Sequence, residues 1–211
     1  SECFFVNIPY ADNITNKIKD KKCIRTFPVK KVNKTIMAWY HPKQKEPLWE
    51  AVQFNETEDK NWTDFDKYEY KFNAHLQETA ENGADSAHFV YVHGTSTLPE
   101  WEFTYENHKR TGVMKAKMPT PRGEVDGAIN IFGHGPGQSA TRFTGICETF
   151  LMGLPTPINA EEMELRFAFS QQKENGESPK GGVAAAIIAD INKQVQEDIT
   201  TNPCCYKFLP I

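Results

Sequence analysis

Residues 161–198, EEMELRFAFSQQKENGESPKGGVAAAIIADINKQVQED, place two hydrophobic periods side by side. EEMELRFAFSQQ alternates apolar and polar residues, as a strand with one face on a core does. ENGESPKGG is a loop by composition. In VAAAIIADINKQVQED the residues Ile187, Ile191 and Val195 recur at helical spacing, which predicts a helix carrying an apolar stripe. Working outward, WEFTYENHKRTGVMKAKM, GAINIFGHG and SATRFTGICETFLMGL are β-prone and alternate in the same way. Before them, Asn73 to His93 (NAHLQETAENGADSAHFVYVH) is rich in Ala, Glu and Gln and is predicted as one helix, weakened at Gly83. Helix, long antiparallel strands and a closing helix define an α+β class in which a helix packs across a curved sheet.

Nearer the N-terminus, IRTFPVKKV and TIMAWYH are short extended stretches separated by the turn-prone Asn33, hairpin-like sequence that ends at the Pro47 turn. The following NETEDKNWTDFDKY is polar and acidic and is predicted as a linker. These features divide the chain into 1–56 and 57–211.

With 39% hydrophobic and 25% charged residues the composition is that of an ordinary globular protein. A net charge of -4 offers no broad basic face, so nucleic acid is not an expected partner. Cys3, Cys23, Cys147, Cys204 and Cys205 show no C-x-x-C spacing, and this odd, scattered set suggests a reducing compartment. Four N-x-S/T triplets begin at Asn13, Asn33, Asn55 and Asn61, and they are read as chance occurrences in an Asn- and Thr-rich chain. The chain has no apolar run of membrane-spanning length and no signal-peptide pattern. The expected location is cytoplasmic, or at a membrane through a segment outside these 211 residues.

The chemistry concentrates in ETAENGADSAHFVYVHG, which holds Glu81, Asn82, Asp85, His88 and His93. On a regular helix Asp85 and His88 lie about 60° apart and share a face, whereas His88 and His93 lie about 140° apart. The two imidazoles can meet one ion only if the helix ends or loosens between them, which the run Phe89 to Val92 and Gly94 make reasonable. Taken alone, such a pair reads first as a solvated polar face with two incidental histidines, since His pairs are common and metal sites few. In the last helix, Asp198 falls within about 20° of Ile187, on the apolar stripe. A carboxylate there is costly unless paired or metal-bound, the alternative being a helix end already in solvent. Asp190 and Glu197 sit to one side and are expected to point elsewhere. Two imidazoles and a carboxylate suit Fe(II) with open positions, although a zinc hydrolase could use the same ligand types.

The pattern E-N-x-x-D-x-x-H-x-x-x-x-H, Glu81 to His93, resembles the mononuclear iron motif of Rieske oxygenases. The HFVYVHG ending resembles the branch of the bacterial 3-ketosteroid 9α-hydroxylase oxygenase component and the cholesterol 7-desaturases. ECFFVNIPYADNITNKIKDKKCIRTFPVKKVNKTIMAWYHP resembles the end of that family's Rieske domain, and QVQEDITTNPCCYKFLP the segment bearing its third iron ligand. The resemblance implies iron ligation by His88, His93 and Asp198. It also implies that Asp85 links the iron to the iron–sulfur cluster of a neighbouring subunit in a homotrimer, and that Asn82 stands just behind the ligands. The implied fold is a helix-grip, START-like sheet on the long C-terminal helix, preceded by the β remnant of a Rieske [2Fe–2S] domain. The implied activity is O2-dependent oxidation of a sterol or steroid C–H bond, fed by a ferredoxin-type donor and its reductase. Cholesterol 7-desaturation is the first expectation, because the Lys- and Asn-rich composition looks eukaryotic, and 3-ketosteroid 9α-monooxygenation the second. A helix-grip module that only binds sterols is the rival from another class. The cluster motif C-x-H followed by C-x-x-H does not occur in these 211 residues, and Thr200, Thr201, Cys204 and Cys205 replace the aromatic and basic segment usual after the third ligand. A chain truncated at both ends is therefore expected.

Among the other candidates, GHGPG at 133–137 is read as a turn whose His134 could line a pocket mouth, and His41, His75 and His108 as surface residues. The aromatics Phe103, Tyr105, Phe132, Phe143, Phe150, Phe167 and Phe169 are read as sheet core, with the inner face of the sheet also serving a substrate.

Overall fold

The alternating stretches of the chain form a seven-stranded sheet in which every described pairing is antiparallel. The computed structural model describes residues 7–19, 25–94, 98–120, 123–179 and 182–201. Cys3, Cys23, Cys204 and Cys205, and the sequence that follows Thr201, lie outside them. The chain divides into two units, Ser1–Gln53 and Phe54–Ile211, a few residues before the boundary expected at 56.

In the first unit, α1 (Asn16–Lys19) is a single turn, and β1 (Val29–Val32) pairs with β2 (Thr35–Ala38). Asn33 and Lys34 between the strands have φ of 53° and 58°, the left-handed pair whose twist matches a tight hairpin. Asn33 is buried, and its Nδ2 donates to the Val52 carbonyl at 2.7 Å. A turn residue chosen for its backbone conformation thus also satisfies a polar group inside the unit.

In the second unit the sheet runs β3 (Asp66–Phe72), β9 (Met163–Gln171), β8 (Thr149–Pro157), β7 (Ser139–Thr144), β6 (Gly123–His134), β5 (Lys109–Thr120) and β4 (Glu102–Glu106). β8 and β9 are the most buried strands, with Phe150, Met152, Met163 and Phe169 at 1% exposure or less. α4 (Gly182–Thr201) lies along one face. Gln171 Nε2 donates to the Ala184 carbonyl at 2.9 Å and to Thr149 Oγ1 at 3.1 Å, and the Tyr70 hydroxyl donates to Asn192 Oδ1. The predicted stripe turns inward, with Ala184 and Val195 buried and Ile187, Ile191 and Asp198 half-buried. Among the described residues no helix is long and apolar enough to cross a membrane.

The opposite face of the sheet is covered by the segment predicted as a linker. Phe54 is buried against Phe150 and Phe132, Trp62 meets Phe150 edge-on, and Glu56 pairs with Arg142, whose guanidinium lies over Phe54 and Phe150. The end of the same segment enters β3, which pairs with β9 from Asp66↔Phe169 to Phe72↔Met163. This edge strand hides one face only, so its polar residues on the other face resemble linker composition.

The single helix expected over Asn73 to His93 is two short helices, α2 (Leu76–Asn82) and α3 (Ala87–Tyr91). His75, expected as a plain surface residue, caps α2: its ring accepts from the Gln77 N–H while Glu78 Oε1 accepts from the His75 N–H. At the break, Arg110 Nη1 donates to the Ala80 carbonyl at 2.9 Å, and the Arg110 side chain fills the space where a Cβ on Gly83 would stand. Asp85 Oδ1 then accepts the Ala87 N–H at 2.8 Å and starts α3.

Of the aromatics read as core, Phe150 and Phe169 are buried, but Tyr105 is 64% exposed at the end of the edge strand β4. His108 is half-buried rather than on the surface, and its Nε2 lies 3.4 Å from that of the buried His134. The β4–β5 turn folds back over the end of β6, where Gly135 N–H donates to the His108 carbonyl.

Candidate metal centre

The five-residue spacing of the two histidines is closed by the way α3 ends. The N–H groups of Val92 and His93 both reach the His88 carbonyl, at 2.7 and 3.4 Å, so the last turn widens. Gly94 follows with φ of +69°, a conformation that costs a residue without a side chain little. His93 is thereby swung back over His88, and the ring centroids stand 5.0 Å apart.

One nitrogen of the His88 ring and both of the His93 ring meet an oxygen. His88 Nδ1 contacts the Asp85 carbonyl oxygen, which can only accept, so Nδ1 carries the proton and Nε2 keeps its lone pair. Asp85 lies in the break between α2 and α3 rather than on one helix with His88, so the two meet through the Asp85 backbone carbonyl while its carboxylate accepts the Ala87 N–H. The His93 side chain is 3% exposed, with Nδ1 at 3.0 Å from Glu197 Oε2 and Nε2 at 3.2 Å from Asp198 Oδ1. Asn82 Nδ2 donates to the second Asp198 oxygen at 3.1 Å. One ligand atom from each of His88, His93 and Asp198 lies within 4.8 Å of the other two, and no other such group of three occurs among the described residues. Phe89 packs against both rings, at 4.2 Å from His88 and 5.6 Å from His93, and Trp101 continues this apolar wall.

The structure therefore brings together His88, His93 and Asp198 at the centre, with Asn82 and the Asp85 carbonyl behind them, while Glu81 accepts from Gln77 along α2 instead. Asp190 points elsewhere, accepting from Gln194 Nε2 along the helix. The expectation for Glu197 is corrected. Neighbouring helix positions are about 100° apart, yet the two nitrogens of one ring lying between them can each reach one. The Lys193–Glu197 pair, at i,i+4, holds the other Glu197 oxygen at 3.3 Å but carries no sign of the contact with His93.

The two carboxylates differ electrostatically. The hydrogen bond from His93 keeps Glu197 below the usual carboxylate range, against burial and with help from Lys193. Burial pushes Asp198 above its ordinary value, while His93, His88 and Asn82 pull it down and Glu197 adds to the rise. A carboxyl whose folded value is raised adds stability at low pH that is lost as pH climbs through that folded value. Asp198→Asn in metal-free protein is accordingly expected to melt at the same or a higher temperature than the parent at pH 8. Melting in chelator at pH 5 and pH 8 measures this, and a large drop at pH 8 would show that the ion pair with His93 outweighs burial.

Comparison with known proteins places this geometry in a class. Solved structures sharing the fold include Pseudomonas putida CBB5 NdmA with caffeine, at TM-score 0.71 and 15% identity over 95% of this chain and 58% of that one. Dicamba monooxygenase bound to dicamba aligns at TM-score 0.66 and 15% identity over 93% of this chain and 63% of that one. The fold is that of Rieske oxygenase catalytic domains. Within that class, the chain belongs to the 3-ketosteroid 9alpha-hydroxylase C-terminal domain family, whose model matches residues 38–201. Curated relatives include cholesterol 7-desaturase nvd 1 of Ciona intestinalis, 36% identical over 42% of this chain and 18% of that protein. A probable 3-ketosteroid-9-alpha-monooxygenase oxygenase component of Rhodococcus rhodochrous is 30% identical over 57% of this chain and 29% of that protein. The chain thus spans less than a third of the length of these relatives.

Proposed function

We propose that this chain is the iron-bearing catalytic part of a Rieske-type oxygenase that oxidises a C–H bond of a sterol or steroid with O2. The observation that carries the reading is the convergence of His88, His93 and Asp198 in a fold of this class. Two neutral imidazoles and a carboxylate fit Fe(II) and leave positions open. Iron bound there supplies the redox couple for activating dioxygen, and a [2Fe–2S] cluster fed by a ferredoxin-type donor and reductase supplies the electrons. The chain's own residues hold and orient: the Asp85 carbonyl accepts a hydrogen bond from His88 Nδ1, Glu197 stands at His93 Nδ1, Asn82 donates to one Asp198 oxygen, and Phe89, backed by Trp101, packs against both rings.

The sheet with α4 across it is read as a helix-grip domain beginning near residue 57, and residues 1–56 as the end of a Rieske domain. Cholesterol 7-desaturation is the preferred activity, supported by the desaturases among the relatives, and 9α-hydroxylation of a 3-ketosteroid the second, supported by the Rhodococcus relative. Metal analysis of the complete protein, with sterol oxidation assayed under O2, tests the reading. About one iron per chain at this site and O2-dependent product are expected. Zinc without O2 dependence would favour a hydrolase, and bound sterol without metal a carrier.

In the proposed homotrimer Asp85 faces a cluster histidine of the next subunit. Asp85→Ala keeps the backbone carbonyl that holds His88 and loses one exposed hydrogen bond, from the Ala87 N–H. The complete protein with Asp85→Ala should therefore keep its iron while electron transfer to it slows at least about tenfold, the loss of one charge-assisted hydrogen bond. Rapid-mixing reduction kinetics measure this, and an unchanged rate would remove the role given to Asp85.

A further inference from the structure

His93 stands between two carboxylates, and a neutral imidazole has one proton to give. If that proton sits on Nε2 it is donated to Asp198 Oδ1, 3.2 Å away, and the ring has no lone pair left on the side that faces His88 and Asp198. If it sits on Nδ1 it is donated to Glu197 Oε2, 3.0 Å away, and the Nε2 lone pair faces the other two ligand residues. The ring is 3% exposed, so water is a poor substitute for either partner. Glu197 is itself fixed, with its other oxygen 3.3 Å from Lys193 Nζ and its position set by the helix turn that also carries Asp198.

We propose that Glu197 is the positioning residue of the metal centre: by accepting the Nδ1 proton of His93 it selects the tautomer that offers Nε2 to a metal ion and holds the ring plane in place. His88 has the equivalent support from a backbone carbonyl, which no substitution of a side chain removes. His93 depends on a side chain, so its support can be removed by one substitution. The inference rests on the assignment of His88, His93 and Asp198 as ligands.

The test uses the complete protein stripped of its mononuclear metal, titrated calorimetrically with Co(II) in parent, Glu197→Ala, Glu197→Gln, Asp190→Asn and His88→Ala forms, with 15N-histidine NMR of the metal-free forms. Removing a carboxylate behind a metal-bound histidine weakens binding about 10- to 100-fold, and that is the loss expected for Glu197→Ala. Glu197→Gln keeps an oxygen that can accept from Nδ1 and should recover most of the affinity. Asp190→Asn removes a charge from the same helix without touching His93 and should stay within about twofold, as an exposed charge effect does. In the NMR spectra His93 should be the Nδ1–H tautomer in the parent and gain Nε2–H form in Glu197→Ala. Equal affinity and an unchanged tautomer in Glu197→Ala would overturn the proposal, as would an equal loss in Asp190→Asn. If His88→Ala binds as tightly as the parent, the ligand assignment itself fails, an outcome separate from the fate of Glu197.

Discussion

Replacing His93 with alanine is expected to lower the affinity of the site for Fe(II) or Co(II) by more than about 100-fold and to abolish turnover. Losing only the residue behind such a ligand already costs about 10- to 100-fold, so losing the ligand must exceed that. His93 carries more than its own bond to the metal. Its ring lies between Glu197 and Asp198, and its removal leaves both carboxylates without the ring nitrogens that face them. The melting temperature gives a second readout. A metal at about 100 times its dissociation constant stabilises the folded state by about 2.7 kcal/mol, a shift the parent should show and His93→Ala should not. A variant that still takes up one metal ion with a parent-like thermal shift would sink the assignment. His88→Ala should behave similarly, because Phe89 and His93 pack on its ring but do not replace its nitrogen.

Much of this centre was legible in the sequence because its parts lie on regular elements. The α4 stripe was read from spacing, and Asp198 on it meets Asn82 and His93 rather than solvent alone. The long strands β5, β6, β8 and β9 are β-prone over enough residues to reveal themselves, although β8 and much of β9 are buried on both faces and so do not alternate in burial. Four features were not legible, each for a physical reason. β3 is an edge strand with one wet face, so Asp66, Lys67, Glu69 and Lys71 mask the inward series Tyr68, Tyr70 and Phe72. The break between α2 and α3 depends on Arg110, a residue on β5 that donates to the end of α2 and has no local signature there. Glu197 was placed off the face because a helical wheel orders directions from an axis, whereas a ring lying between two directions can contact both. The His108–His134 contact was missed for a similar reason, since it depends on how the β4–β5 turn folds over β6.

Phe150→Ala is expected to have the largest effect on stability. Phe150 has no exposed surface and lies under the segment that covers the sheet's far face, with Phe54 at 5.4 Å, Trp62 at 6.4 Å and the β7 Arg142 guanidinium at 5.5 Å from its ring. Truncating a buried phenylalanine costs about 3–5 kcal/mol, a large share of the roughly 5–15 kcal/mol that keeps a domain folded. The upper part of that range applies here because the cavity cannot collapse freely. β7 and β9 hold β8 on both sides, through Arg142↔Phe150 and Phe150↔Ser170, and Phe54 is tied through its neighbour Glu56 to Arg142. Arg142 also loses one of the two aromatic faces over which its charge is half-buried. Denaturant unfolding of Phe150→Ala beside Phe150→Leu measures this. Leucine keeps most of the apolar volume and should cost markedly less, whereas equal costs would mean that the aromatic contacts, rather than the cavity, set the penalty. The metal ligands lie on other elements, so whatever fraction of Phe150→Ala remains folded should bind Co(II) with parent affinity. A stability loss without a change in metal affinity is the reverse of the result expected for His93→Ala, and together the two variants separate what holds the sheet from what holds the metal.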